Sequence, residues 1–321
     1  MRQNKYKLKK YYSCTLYVIL LLSVMFTGCE DDSDLDLSLA VNSNAVKVSA
    51  AGGETHIMVY STDVWHAEFE TPVDWASLNK IEEEGNSSIL FSYARNFGAA
   101  RKVIINIKKG EEEQQISIVQ EGVSPVLKFP VTKSVIPRTS LPVRYVLDTN
   151  LKHNIGNIEM DILYDDEVSE QWISEPKLTA ESFEFHALEN NLGETRSARV
   201  TLKFVDGLDA VYTTFIDITQ SEDVAVISAI EPETNLSKFA ASPTITFDGN
   251  MHTSLYFFQQ NINYIDGAGD WISNFRIMED AVKFDVARND SGADRSAEIT
   301  FSLRVNDQLY NVQHIVNQSK E

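Results

Sequence analysis

Once the carboxylates are set aside, few side chains of the 321-residue sequence could do chemistry. There are two cysteines, Cys14 and Cys29, and six histidines, His56, His66, His153, His186, His252 and His314. The histidines lack the HExxH or HxH spacing that places two imidazoles on one metal, so they read as ordinary surface or half-buried groups. With 47 Asp and Glu, a carboxylate pair at glycosidase separation would arise by chance on almost any surface, and no motif focuses one. Neither a GxSxG elbow, a P-loop nor a Rossmann glycine pattern occurs. Oxygen ligands for calcium gather at Asp165-Asp166-Glu167 and from Asp285 to Asp294, with Asn289 and Asp290, but EF-hand spacing is missing and these stretches read as solvated acidic loops. No catalytic residue, metal site or cofactor is expected.

Cys29 stands apart because of the residues before it. Arg2, Lys5, Lys7, Lys9 and Lys10 open the chain, an almost wholly apolar run extends from Leu16 to Phe26, and the run closes in Thr27, Gly28 and Cys29. This is the layout of a secretory signal over residues 1–28. Its end, Phe26-Thr27-Gly28-Cys29, resembles a lipobox, with Phe26 where Leu is usual, and the resemblance implies lipidation of Cys29. Two or three acyl chains suffice for stable anchoring. The apolar run is shorter than the roughly 20 residues a spanning helix needs, and no later stretch offers another candidate. Cys14 leaves with the signal, so the globular part is expected to have neither disulfide nor free thiol.

The first 28 residues carry five of the 28 basic residues and none of the 47 acidic ones, which leaves a net charge of −24 on residues 29–321. Such a surface repels phosphate backbones and anionic headgroups, which excludes nucleic acid as a partner. At 43% hydrophobic and 10% aromatic, the chain has ample apolar material for two or three packed domains. Residues 29–38 contain the acidic run Glu30, Asp31, Asp32, Ser33 and Asp34. It reads either as a solvated tether or, by resemblance to the acidic signal after the lipidated Cys of Bacteroidetes surface lipoproteins, as an export signal that places the protein on the outer face of the outer membrane.

The body repeats one pattern three times. Asp74-Trp75-Ala76-Ser77, Gln171-Trp172-Ile173-Ser174 and Asp270-Trp271-Ile272-Ser273 stand 97 and 99 residues apart. Each is succeeded by an alternating segment ending in Asn96, Asn190 or Asn289, then by Gly98, Gly193 or Gly292, then by Arg101, Arg196 or Arg295 opening another alternating run, and last by Gln120, Gln220 or Gln318. The apolar period is two throughout, with Gly, Asn, Asp or Pro in the turns, which predicts antiparallel strands. Units of this size predict an all-β chain of three tandem immunoglobulin-like β-sandwich domains, at 39–122, 123–222 and 223–321. The Asn-to-Arg connection reads as hairpin-like, since Asn and Gly tolerate positive φ. Short joints, Glu121-Gly122-Val123-Ser124-Pro125 and Ser221-Glu222-Asp223, favour a jointed rod hung from Cys29.

The first unit carries Ala51-Gly52-Gly53 before a strand, Trp65, Trp75-Ala76-Ser77, Asn96 with Arg101, and a terminal Ile118-Val119-Gln120. With these it resembles the BACON domain, the Bacteroidetes-associated carbohydrate-binding, often N-terminal module. The other two units look like divergent copies without the Gly-Gly pair or a counterpart of Trp65. The resemblance implies non-catalytic binding of complex glycans or mucin-type glycoproteins at the cell surface, with outer-membrane polysaccharide-uptake proteins as neighbours. In several multidomain enzymes such modules look like spacers, which leaves a structural or protein-binding stalk as the other reading.

Sugar recognition would lie on exposed rings beside uncharged hydrogen-bonding groups. Trp75, Trp172 and Trp271 recur at one landmark and are assigned to the core. The candidate glycan contacts are the non-repeated aromatics Trp65, Tyr256, Phe257, Phe258 and Tyr264, with Gln259, Gln260 and Asn261 to take hydroxyls. Three consecutive aromatics on a strand cannot all face one side, so at least one of residues 256–258 points outward or into a joint. For the anchor, Cys29→Ala is expected to release the chain from the membrane fraction, as read by fractionation after a salt wash; continued sedimentation with outer membrane would count against lipidation.

Overall fold

The computed structural model describes residues 38–165, 171–265 and 269–321. The expected signal, Cys29 and the tether up to residue 37 lie outside the described residues, as do Asp166 and Glu167. Among the described residues no helix is long and apolar enough to cross a membrane.

Period-two alternation produces strands throughout. The first set is β1 (Leu39–Val41), β2 (Ala45–Val48), β3 (Gly53–Ser61), β4 (Val64–Phe69), β5 (Ala76–Leu78), β6 (Glu82–Glu84), β7 (Ser87–Tyr93), β8 (Arg101–Lys109) and β9 (Glu112–Gln120). They form two sheets, ordered β1-β3-β7-β5 and β2-β9-β8-β4-β6. Ile57, Val59, Trp65, Ile89, Phe91 and Ile105 are buried, the alternate members of their strands.

The second set is β10 (Leu127–Lys128), β11 (Lys133–Ile136), β12 (Leu141–Val146), β13 (Asp148–Thr149), β14 (Glu159–Tyr164), β15 (Ile173–Leu178), β16 (Ser182–Ala187), β17 (Arg196–Val205) and β18 (Val211–Gln220). The third is β19 (Ile227–Ala229), β20 (Glu233–Leu236), β21 (Thr244–Gly249), β22 (Gln259–Tyr264), β23 (Ile272–Ile277), β24 (Ala281–Val286), β25 (Arg295–Val305) and β26 (Gln308–Gln318). The larger sheets are β11-β18-β17-β14 with β12-β16-β15, and β20-β26-β25-β22 with β19-β21-β24-β23. In both sets an early strand lies parallel to the last, β11 on β18 and β20 on β26. The fold is all-β and immunoglobulin-like, as the alternation predicts.

The Asn-to-Arg connection is not a hairpin. β7 and β8, β16 and β17, and β24 and β25 each belong to different sheets, so the segment crosses the sandwich. The tight hairpins are elsewhere, for example β17 to β18 through Asp209 at φ 62° and β25 to β26 through Asn306 at φ 52°. What the Asn supplies is a local cap for the crossing. The side-chain amides of Asn96, Asn190 and Asn289 donate to the carbonyls of Ala99, Glu194 and Ala293 at 2.7 to 2.8 Å, and their Oδ1 atoms accept from the backbone N–H of Gly98, Leu192 and Ser291.

The recurring Arg and Gln meet in the same way each time. Arg101 Nε donates to Gln120 Oε1 at 2.8 Å, Arg196 to Gln220 at 2.8 Å, and Arg295 to Gln318 at 2.9 Å. The Gln220 amide donates in turn to the carbonyls of Arg138 and Leu188, and the Gln318 amide to those of Phe239 and Ala287. Arg196 lies over the Trp172 ring and Arg295 over the Trp271 ring, 5.3 and 4.4 Å from the centroids. Trp172 and Trp271 are buried and Trp75 is half-buried.

Contacts divide the chain into two compact units. Among the described residues, one comprises 38–46, 53–94 and 103–118; the other comprises 47–52, 95–102 and the described residues from 119 on. Within the second unit, Ala99 N–H donates to Asn154 Oδ1 and Gly207 N–H to the Ala100 carbonyl. Gly207 must be Gly there, since a Cβ would come within 2.5 Å of the Arg101 backbone. The same unit holds two hydrophobic cores, around Trp172 and Phe183 and around Trp271 and Phe284. Leu141 of β12 packs in the second of these cores, and the buried Ser254 hydroxyl donates to the Pro142 carbonyl at 2.7 Å.

His314 on β26 is buried and satisfied while neutral. Its Nδ1–H donates to the Glu231 carbonyl, so Nε2 accepts from the Thr234 hydroxyl. Burial holds its pKa below the usual histidine value. The unfolded chain therefore takes up a proton that the folded chain resists, and the stability present above about pH 6.5 is lost as pH falls below it. Thermal unfolding between pH 7 and 5 is expected to fall less steeply in His314→Gln than in the parent chain. Gln220→Ala removes the acceptor of Arg196 Nε and the donor to two carbonyls, and is expected to cost about 1–3 kcal/mol in denaturant unfolding; a change within error would contradict this role.

Candidate functional site

Most of the sequence-selected aromatics are structural. Trp65 is wholly buried on β4, its indole N–H donating to the Gly85 carbonyl at 2.9 Å, so it offers no ring to a ligand. It occupies an inward position of the alternation Val64-Trp65-His66-Ala67. Residues 256–258 are not on a strand: His252–Phe257 is a 3-10 helix, and Phe258 comes after it in extended conformation. Phe258 is core, and Phe257 is half-buried against Tyr256. Tyr256 is 51% exposed, but Arg144 lies over its ring, 4.0 Å from the centroid, with the guanidinium also held by Glu184. One face of the ring is thereby taken by a neighbouring strand.

Tyr264 proves to be a repeated residue. It packs at 5.7 Å from Trp271 as Tyr164 packs at 6.2 Å from Trp172, opposite Ala297 and Ala198 on equivalent strands. Its hydroxyl meets the Ile272 backbone, which makes it part of the frame. Gln259 and Asn261 do face outward on β22, opposite Ser302 and Thr300. No group of three His, Cys, Asp or Glu that could hold a metal occurs among the described residues.

Among the described residues lie depressions that the sequence does not reveal. One, of about 360 Å³, is lined by Ile162, Tyr164, Gln171, Ile173, Glu175 and Pro176. Glu175 sits there at φ 53° in a β-bulge that recurs in the third set with Asn274 at φ 53°.

Another, of about 480 Å³, lies on the outer face of the β11-β18-β17-β14 sheet. Leu163, Arg199, Asp217 and Lys133 form one row across the four strands. Arg199 grips Asp217 with two hydrogen bonds, Nε to Oδ1 at 2.6 Å and Nη2 to Oδ2 at 2.9 Å, and lies 4.5 Å from the centroid of Phe215. Those hydrogen bonds hold the Asp217 carboxyl below the usual carboxylate value. In the next row the hydroxyls of Ser197 and Thr219 meet at 3.1 Å. The sequence signal for this face was only the outward half of each alternation; the strand pairing that assembles it is long-range.

Residues 64–121 match the family model of BACON, described as "Putative binding domain, N-terminal". No curated protein matches the chain. Among solved structures, the chain is similar to a Bacteroides ovatus GH5 xyloglucanase in complex with a XXXG heptasaccharide, at 15% identity over 32% of this chain and 27% of that one, TM-score 0.25. It is also similar to the I-band fragment I67-I69 from titin, at 8% identity over 88% and 98%, TM-score 0.26, and to the human Desmocollin-1 ectodomain, at 10% identity over 88% and 61%, TM-score 0.25.

For the aromatic run, Arg144→Ala and Tyr256→Ala are each expected to cost about 0.5–2 kcal/mol of stability, and the double variant less than their sum, because the two share one contact. Additive losses in a double-mutant cycle would show that the pair does not interact.

Proposed function

We propose that the chain is a non-enzymatic cell-surface lipoprotein that binds complex glycans, held to the outer membrane through Cys29 and acting beside polysaccharide-uptake proteins. In this reading residues 39–122, 123–222 and 223–321 are three sandwich domains, and the mature chain carries no nucleic-acid or catalytic role. The observation that carries the reading is the match of residues 64–121 to a binding-domain family, whose resemblance implies carbohydrate. The acidic surface supports neutral over anionic partners, since charges of like sign repel across the screening length of about 8–10 Å.

A structural or protein-binding stalk is favoured by one observation. Leu141 and the Ser254-to-Pro142 hydrogen bond are buried at a joint between successive sets of strands, as a spacer that must not bend there would require. An array of polysaccharides and mucins probed with the full chain separates the two. Saturable binding to a defined glycan is expected; silence across neutral, anionic and mucin panels would leave the stalk.

A further inference from the structure

We infer that the outer face of the β11-β18-β17-β14 sheet is a glycan subsite selective for neutral polysaccharide. The inference rests on the glycan-binding reading above and adds to it a place and a ligand class.

Shape comes first: a depression of about 480 Å³ falls within the roughly 300–1,000 Å³ of small-ligand sites and holds a short stretch of sugar chain against a flat sheet. Next comes charge. The formal charges lining it cancel, Lys133 and Arg199 against Asp165 and Asp217, although the chain carries 47 acidic residues against 28 basic ones. Arg199 is paired with Asp217 and Lys133 is matched in formal charge by Asp165, so the face offers no net positive charge to a carboxylate or sulfate. Anionic chains are disfavoured by the net negative charge of the chain, whereas an uncharged polyol meets no such barrier.

The chemistry of the lining also suits a sugar. Leu163 is 64% exposed and Val135 66% exposed, two aliphatic groups for the C–H face of a pyranose. Ser197 and Thr219 share one hydrogen bond between two hydroxyls, so one O–H stays free to donate outward and both oxygens keep lone pairs. Asp217 and the outward edge of Arg199 supply a fixed acceptor and donor beside them. The Arg199 guanidinium is held by the carboxylate and lies over the Phe215 ring, so it is ordered before a ligand arrives and loses little freedom on binding.

The test is titration of the full chain with soluble neutral polysaccharides (glucan, mannan, xylan and galactan) and with polygalacturonate and chondroitin sulfate. The variants are Leu163→Asp, Ser197→Ala and Arg199→Ala, with Gln313→Ala, exposed on β26 of the third set, as the control. Binding to at least one neutral polymer is expected. Leu163→Asp and Arg199→Ala should weaken it tenfold or more, Ser197→Ala severalfold, and Gln313→Ala less than twofold. Leu163→Asp is an exposed change and should leave the melting temperature in place, which separates lost binding from lost folding. Neutral binding that none of the three variants alters overturns the assignment of this face while the glycan reading stands. Preference for the anionic polymers overturns the ligand class, and binding to no polymer overturns the glycan reading together with it.

Discussion

A guanidinium withdrawn from water is costly unless its N–H groups find acceptors. Meeting that requirement decides how the strands close. Arg196 is satisfied by the Gln220 side chain and by the carbonyls of Leu188 and Glu189. The same Gln220 amide reaches the Arg138 carbonyl two residues after β11, and Asn190 N–H donates to that carbonyl as well. The segment after β11, the crossing between sheets and the last strand are thus fixed to one another by a few hydrogen bonds, over a Trp ring that Arg196 covers. Arg295, Gln318 and Asn289 repeat the arrangement around Trp271.

Because that cluster is satisfied within the backbone and its own members, the outward faces of the sheets are left free to differ. The face that carries Leu163, Arg199, Asp217 and Phe215 has as its counterpart in the third set one carrying Asn261, Thr300 and Gln313. The frame is the same and the chemistry is not. Where successive sets meet, the difference runs the other way: Leu141 and Pro142 on one side and Ser254 and Tyr256 on the other are specialised to each other.

The frame was legible because it is written locally and three times. Trp172, Asn190, Arg196 and Gln220 each recur near a fixed spacing, and alternation alone marks the strands. The structure then gives each of them a contact. The crossing from β16 to β17 was misread as a hairpin because Asn and Gly permit a turn without saying which strands flank it. Trp65 and Phe258 were misread as ligand rings because absence from the other copies says nothing about burial, while the inward parity of Trp65 with Ala67 on β4 did. The equivalence of Tyr264 with Tyr164 is hidden in the sequence because both precede the Trp-x-Ser landmark, from which the repeated series starts. The row of Leu163, Arg199, Asp217 and Lys133 could not be read whole, since β14 and β11, which bring Leu163 and Lys133 beside the β17–β18 hairpin, lie far from it in sequence.

Hydrogen exchange of the full chain, with and without a bound neutral polysaccharide, tests the separation of frame from binding face most directly. Amides of the crossings, Asn190 and Asn289 among them, should be slow to exchange and unchanged by the ligand, while added protection falls on β14, β17 and β18. Ligand-dependent protection centred on Trp172, Trp271 and their arginines, with none on the β14-β17-β18 face, would contradict it.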